Sequence, residues 1–297
     1  MSKHGETEKF IEKLFKEKGE FVFGGEKLNI VKIGKPRPAK GECKTDLYIL
    51  VTNEKSEKKE IKISIKQSDA DFLENKMSIE RAKEIFGVQA KEVIIDCIES
   101  EKEAFKKDFL IYFEKHIRTE AKCIKIGWKF ELINKSGGNR SGKVNLSREQ
   151  KIDVYSGSNL SSEKKDCKVS GVLITNSGIA NYILVVNDNN NDLDYYLDNL
   201  KPIDQYADGQ EIFFACKAIN YRAEKNKWDG NRPLSVYIDW KLEEGKVKAQ
   251  FVLNNPLDVK ADVIGNNIRQ ILNKLKINSL NFKDLKQYLD TDIIIKE

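Results

Sequence analysis

Residues 60–67 (EIKISIKQ) alternate between polar and apolar side chains, and no other segment constrains the fold as strongly. A period of two is typical of a β-strand with one buried face. A second β-prone run, residues 45–52 (TDLYILVT), precedes this strand across a charged turn. The two runs predict an antiparallel hairpin whose isoleucine face lies against a core.

This hairpin would bring two ionisable side chains together. Asp46 begins the first strand and Lys66 lies at the end of the second, and an antiparallel pair brings these two ends side by side. A carboxylate suits a hard cation such as Mg²⁺, which can polarise a phosphodiester. Lys66 can orient or activate the attacking water. The pair therefore favours phosphodiester hydrolysis over a purely structural sheet edge.

Composition excludes several other classes of protein. The chain has 297 residues, 33% of them charged and 40% hydrophobic, which indicates a soluble globular protein. No signal peptide or membrane-spanning run is apparent. The five cysteines form no CxxC pair and there are only two histidines, which argues against a zinc site and favours a reducing, cytoplasmic location. The net charge of +5 is compatible with a polyanionic partner.

The order of elements predicts an α/β (α+β) protein. Periodicity predicts helices over residues 6–18, 69–86 and 101–118, with a strand over residues 93–98. Beyond a boundary near residue 130, the chain is richer in β-prone runs and ends in two helices. The domains expected are thus a mixed core over residues 1–130 and a β-rich half over residues 131–297, with a shared core left open.

The segments around Asp46 and Lys66 resemble those of the PD-(D/E)xK nucleases, and among them the MspI-like, short-site type II restriction endonucleases. The resemblance rests on Lys-Thr-Asp46, the apolar strand after it and Ser64-Ile-Lys66-Gln, and covers about residues 1–100. It implies a restriction-endonuclease-like core that hydrolyses double-stranded DNA with Mg²⁺ at a short specific site. It further implies that Glu8, on the first helix, supplies an additional acid.

The sequence departs from the family pattern at two positions. Thr45 replaces the proline of the motif, and Ser64 replaces its second acid. A neutral hydroxyl is a weak ligand for a hard cation. The catalytic residues implied are Asp46, Ser64, Lys66 and Glu8, with Asp46 and the carbonyl of Ile65 on the metal.

A second frame of the motif stays open at this stage. Glu60-Ile-Lys62 satisfies the literal motif. The Ser64 frame is preferred because Lys66 ends its strand, where a ligand can reach it.

Several basic segments are candidates for binding DNA. Three segments carry cations suited to phosphates or guanine edges: a rigid connector (residues 34–41), a Gly- and Ser-containing basic loop (residues 137–143) and a polar hairpin (residues 221–235). The expected DNA contacts are Lys35, Arg37, Lys40, Gln67, Arg140, Lys143, Arg148, Arg222 and Arg232. A stiff spacer, a plain surface loop or a protein interface would explain the same segments.

Two other functions remain open alongside restriction. A structure-specific repair or recombination nuclease would keep the fold, and loss of the acid at Ser64 would leave a DNA-binding protein without catalysis. Restriction would require a cognate DNA methyltransferase as genetic partner. Both a monomer and a homodimer are compatible with the sequence, and no membrane partner is expected.

Overall fold

The computed structural model describes residues 3–187 and 189–297. Its strands, in chain order, are β1 (Glu20–Phe23), β2 (Glu26–Gly34), β3 (Leu47–Thr52), β4 (Lys58–Gln67), β5 (Phe72–Glu74), β6 (Ile111–Tyr112), β7 (Cys123–Ile133), β8 (Ser141–Lys143), β9 (Cys167–Val169), β10 (Val172–Ile174), β11 (Tyr182–Val186), β12 (Lys201–Pro202), β13 (Phe213–Arg222), β14 (Lys227–Trp228), β15 (Val236–Glu243), β16 (Lys246–Val252) and β17 (Ile295–Lys296).

Its α-helices are α1 (Lys3–Lys18), α2 (Ile79–Phe86), α3 (Ala90–Ser100), α4 (Lys102–Lys106), α5 (Arg148–Ser156), α6 (Ser162–Lys165), α7 (Leu193–Asp198), α8 (Ile203–Asp208) and α9 (Ala261–Lys274). Short 3-10 helices span Gly87–Gln89 and Phe282–Tyr288. This mixture of helices and mixed sheets confirms the α+β class. None of the helices described is long and apolar enough to cross a membrane.

The chain forms two compact units, each built from two separate segments. The first unit comprises the described residues up to Asp71 together with Leu146–Gln210, and the second comprises Phe72–Asn145 and Glu211–Glu297. Neither unit ends at the boundary expected near residue 130. The reason is that β7 crosses that position as one continuous strand, while β11 returns to the sheet of the first unit.

The first unit is built on a six-stranded sheet in the order β1-β2-β3-β4-β11-β12. The β3–β4 pair is antiparallel, as the alternating pattern predicts, whereas β11 runs parallel to β4. One face of this sheet packs on α1 through Ile11 and Phe15, which lie in one core with Ile63 and Ile65 of β4. Burial of this apolar face fixes which side chains of β4 turn away from the core.

The second unit contains a nine-stranded sheet whose main path is β14-β13-β7-β15-β16. Central strand β7 is buried along nearly its whole length. The register of β13 against β7 slips at Ile219 and Asn220, where the pairing is irregular.

Three expected elements are corrected by the structure. Within residues 69–86 the chain forms β5 before α2 begins, because Ser78 caps α2 by accepting a hydrogen bond from the Arg81 N–H. Residues 93–98 belong to helix α3, since Ala90, Ile94, Cys97 and Ile98 are buried at helical spacing. The long helix expected over residues 101–118 is reduced to α4, and the chain then enters β6.

Candidate active site

Asp46 lies immediately before β3 and binds the main chain of β4 at two points. Its backbone N–H donates a hydrogen bond to the carbonyl of Ile63, with an N···O distance of 2.8 Å. Its Oδ2 accepts a hydrogen bond from the N–H of Ile65, also at 2.8 Å. β3 begins only at Leu47. Beyond that point the Ile65 N–H of β4 donates to the carboxylate of Asp46 where a backbone carbonyl of the partner strand would otherwise accept. The side chain is therefore held at a fixed position.

The charges of Lys66 and Glu8 both act on Asp46. Burial is the largest influence and raises the pKa of the Asp46 carboxyl group; Lys66 lowers this pKa and Glu8 raises it. Lys66 is half-buried, and its side chain forms no ion pair or hydrogen bond with the described residues. The structure thus brings together the two residues that the hairpin predicts to be neighbours, and adds Glu8 from α1.

Glu8 is a nearly buried acid, with 7% of its surface exposed. Its Oε2 forms an ion pair with Nζ of Lys35, which follows β2. Burial acts to lower the pKa of Lys35, but the hydrogen bond to Glu8 and the charges of Glu8 and Asp46 together raise it. Lys35, expected to contact DNA, therefore has a carboxylate partner inside the protein.

A buried polar contact holds α1 against the end of β4. Nε2 of Gln67 donates a hydrogen bond to Oγ1 of Thr7 at 2.9 Å, and both residues are largely buried. Thr7 directly precedes Glu8, so this contact positions the acid relative to Lys66. Sequence reasoning missed Thr7, because a single threonine on a helix carries no local signal of a partner 60 residues away.

Two hydroxyl groups beside the site are buried without a partner. Oγ of Ser64 and Oγ1 of Thr45 form no hydrogen bond within the part of the chain that is described, and Ser64 is 0% exposed. Such groups are rare in native proteins because leaving them unpaired costs about 1–3 kcal/mol each. Ser64 and Thr45 both lie on the strand ends that Asp46 joins.

The alternative frame, Glu60-Ile-Lys62, lies elsewhere on β4. Glu60 pairs in register with Leu50 and accepts a hydrogen bond of 2.6 Å from the hydroxyl of Tyr48. Nζ of Lys62 lies 3.3 Å from Glu60 and donates to the carbonyl of Asn176 at 3.1 Å. Glu60 and Lys62 are engaged in contacts with each other, with Tyr48 and with a turn residue, and the frame ending in Lys66 is the one beside Asp46.

The other basic residues expected to bind DNA in the first unit have different surroundings. Arg37 exchanges two main-chain hydrogen bonds of 2.9 Å with Lys168, and its side chain is exposed. Lys40 is also exposed. Arg148 forms a two-point ion pair with Asp208, at 2.6 and 3.1 Å. The connector cations are accessible, whereas Arg148 is already engaged.

In the second unit, most of the expected cations are paired with acids. Arg140 lies 3.4 Å from Asp108, and Lys143 pairs with Glu211. Arg222 pairs with Asp229 and, at 2.6 Å, with Glu120. Arg232 is half-buried. These four residues do not belong to the unit that contains Asp46. The acids lie far from their cations in the sequence in most cases, so composition gave no sign that the charges are neutralised.

The donors at Asp46 suit a hard cation. No group of three or more His, Cys, Asp or Glu side chains that would enclose a metal exists among the described residues. Two carboxylates, Glu8 and Asp46, nevertheless repel each other electrostatically, and a cation between them would relieve that repulsion. The carbonyl of Ile65 and water would complete a shell of oxygen ligands of the kind that Mg²⁺ accepts.

No family model, curated protein or solved structure matches this chain.

Proposed function

We propose that this protein is a Mg²⁺-dependent endonuclease of the PD-(D/E)xK kind that cuts double-stranded DNA as a type II restriction enzyme. The observation that carries the proposal is the position of Asp46, which is fixed on the end of β4 by its hydrogen bond with Ile65 and is acted on by the charges of Glu8 and Lys66. An acid and a lysine at paired strand ends, with a second acid on the first helix, form the arrangement that the family resemblance implies. The first unit would then be the restriction-endonuclease-like core.

Each residue would have a distinct role. Asp46 and Glu8 would hold Mg²⁺, together with the carbonyl of Ile65. The bound ion would supply positive charge to the scissile phosphate. Lys66, which has no ion-pair partner within 4 Å in the described chain, would orient the attacking water. Ser64 would complete the site through its hydroxyl group or its backbone.

DNA would approach along the connector that precedes Asp46. Lys35, Arg37 and Lys40 lie on this segment, which contains no acidic residue between them. Phosphate contacts of this kind position a duplex without reading its sequence. A restriction role further implies action in the cytoplasm beside a cognate methyltransferase.

Digestion of a large, unmethylated DNA of known sequence tests the proposal. The purified protein is incubated with Mg²⁺ beside Asp46→Asn, Lys66→Met and the control Glu60→Gln. Discrete fragments from the wild type and the control, but not from the two site variants, are expected. Fragments that persist in both site variants would overturn the assignment of Asp46 and Lys66.

Two further outcomes separate the other functions. Cleavage only at branched or nicked substrates would indicate a repair or recombination nuclease. Duplex binding without cleavage at any Mg²⁺ concentration would indicate a DNA-binding protein.

A further inference from the structure

The ion pair between Glu8 and Lys35 is unequal in its exposure. The Glu8 side chain is 8% exposed, whereas that of Lys35 is 50% exposed. The acid is also held in place by its helix, which the Thr7–Gln67 contact ties to β4. The lysine is attached by a flexible four-carbon chain and carries a strongly hydrated charge. The carboxylate is therefore the fixed partner and the ammonium group is the replaceable one.

The charge of Lys35 reaches both of the proposed metal ligands. Its Nζ contacts Oε2 of Glu8 directly, and its charge also acts on Asp46. A buried carboxylate needs a compensating positive charge. In the absence of metal, Lys35 supplies that charge at the place where a divalent cation would bind.

We infer that Lys35 is a displaceable internal counter-ion that competes with the divalent cation for Glu8 and Asp46. This inference rests on the proposed function, because it takes these two carboxylates as the metal ligands. Binding of the cation moves Lys35 away from Glu8 and leaves its ammonium group on the same basic connector as Arg37 and Lys40. Because the cation must displace Lys35, the protein binds it more weakly than Glu8 and Asp46 would in the absence of Lys35.

Mn²⁺ binding to the DNA-free protein tests the inference without relying on cleavage. Free Mn²⁺ is measured by electron paramagnetic resonance during titration of the wild type, Lys35→Met and Lys35→Gln. Removal of the competing charge is expected to tighten Mn²⁺ binding by up to about fivefold, which is the equivalent of a partly exposed ion pair. Lys35→Arg keeps the charge and is expected to bind like the wild type.

The matched control is Lys59→Met. Lys59 forms an ion pair with Glu26 on the same sheet, but Glu26 is well exposed and neither residue acts on Asp46. This variant is expected to leave Mn²⁺ affinity unchanged. A tightening equal to that of Lys35→Met would overturn the inference, because it would show a general effect of net charge.

Thermal melting provides a second measurement if Lys35→Met is poorly stable. Without metal this variant is expected to melt below the wild type, since Glu8 loses its ion pair with Lys35. Mn²⁺ should then raise its melting temperature by more than that of the wild type. Lys35→Gln retains a neutral donor for Glu8 and guards against loss of the fold.

Equal Mn²⁺ affinities in the wild type and both neutral variants would overturn the inference while leaving the proposed function intact. Absence of Mn²⁺ binding in every protein would overturn both.

Discussion

The carboxylate of Asp46 accepts a 2.8 Å hydrogen bond from the backbone N–H of Ile65, one residue before Lys66. This contact couples the position of the acid to the strand that carries the lysine. Lys66 lowers the pKa of the Asp46 carboxyl group, so a change at Lys66 should alter the ionisation of Asp46.

Asp46→Asn is expected to raise the melting temperature at neutral pH. Burial raises the pKa of Asp46, so the folded state holds this proton more tightly than the unfolded chain does. The resulting stabilisation is complete below the ordinary Asp pKa of 3.8 and is lost as the pH rises through the raised value. Melting curves from acid to neutral pH should show a gain that grows with pH.

Asp208→Asn is the control for this measurement. The hydrogen bond from Arg148 lowers the pKa of Asp208, so its charge is favourable in the folded state and its removal should bring no gain at neutral pH. A lower melting temperature for Asp46→Asn at pH 7 would contradict the burial argument.

Lys66→Met is expected to shift the pH dependence of Mn²⁺ binding. Lys66 lowers the pKa of Asp46, so without it the carboxyl group should retain its proton to a higher pH and the midpoint of Mn²⁺ binding should rise. Loss of the residue that orients water should also reduce cleavage by about 10²–10⁴-fold.

Lys62→Met is the control, because Lys62 lies on the same face of β4 but is paired with Glu60. This variant should leave the midpoint of Mn²⁺ binding unchanged. Equal shifts in the two variants would refute the coupling of Lys66 to Asp46.

Ser64→Ala is expected to leave the protein as stable as the wild type, or more stable by up to about 1 kcal/mol, because its buried hydroxyl has no hydrogen-bond partner in the described chain. Cleavage should nevertheless fall if this hydroxyl completes the site. Urea denaturation and DNA digestion measure the two effects separately.

Ser177→Ala is a matched comparison. Ser177 is equally buried, but its hydroxyl donates to the carbonyl of Ile174 at 2.8 Å. That substitution should destabilise the protein by about 1–3 kcal/mol. Equal losses for the two serines would show that Ser64 has an important partner.

Gly178→Ala is expected to destabilise the first unit by about 1–3 kcal/mol through overpacking. A Cβ at this position would lie 2.6 Å from the carbonyl oxygen of Lys164 and 2.8 Å from Sγ of Cys167. The Gly178 carbonyl accepts hydrogen bonds from the N–H groups of Lys44 and Thr45, just before Asp46, so cleavage should fall as well. Gly209→Ala meets its nearest atom only at 3.9 Å and should be tolerated; a similar loss at both glycines would contradict the packing argument.

Local patterning was sufficient for the hairpin that carries the site. The alternation in β4 predicts which residues face the core, and the short turn before it predicts antiparallel pairing with β3. The neighbourhood of Asp46 and Lys66 follows from that pairing alone. Patterning failed where tertiary packing overrides propensity, as in the β-prone residues 93–98, of which Ile94, Cys97 and Ile98 are buried on one face of α3.

The remaining contacts of the site have no local signal. The partner of Glu8 is Lys35, 27 residues away, and nothing in either segment specifies the other. Central strand β7 was likewise missed, since Lys125 and Glu131 interrupt its apolar residues although both are buried. Compensation of such charges is a property of the folded molecule and cannot be inferred from a window of sequence.

The parallel pairing of β4 with β11 has a consequence for synthesis of the protein. Asn181, beside β11, accepts a hydrogen bond from the N–H of Lys62 across 119 residues of chain. At about 5–20 residues per second, a ribosome needs roughly 6–24 s to make that interval. During this time the nascent chain carries β4 with one edge unpaired. The hairpin can form early, but a complete sheet around Asp46 must wait until the segment after Leu146 has been translated.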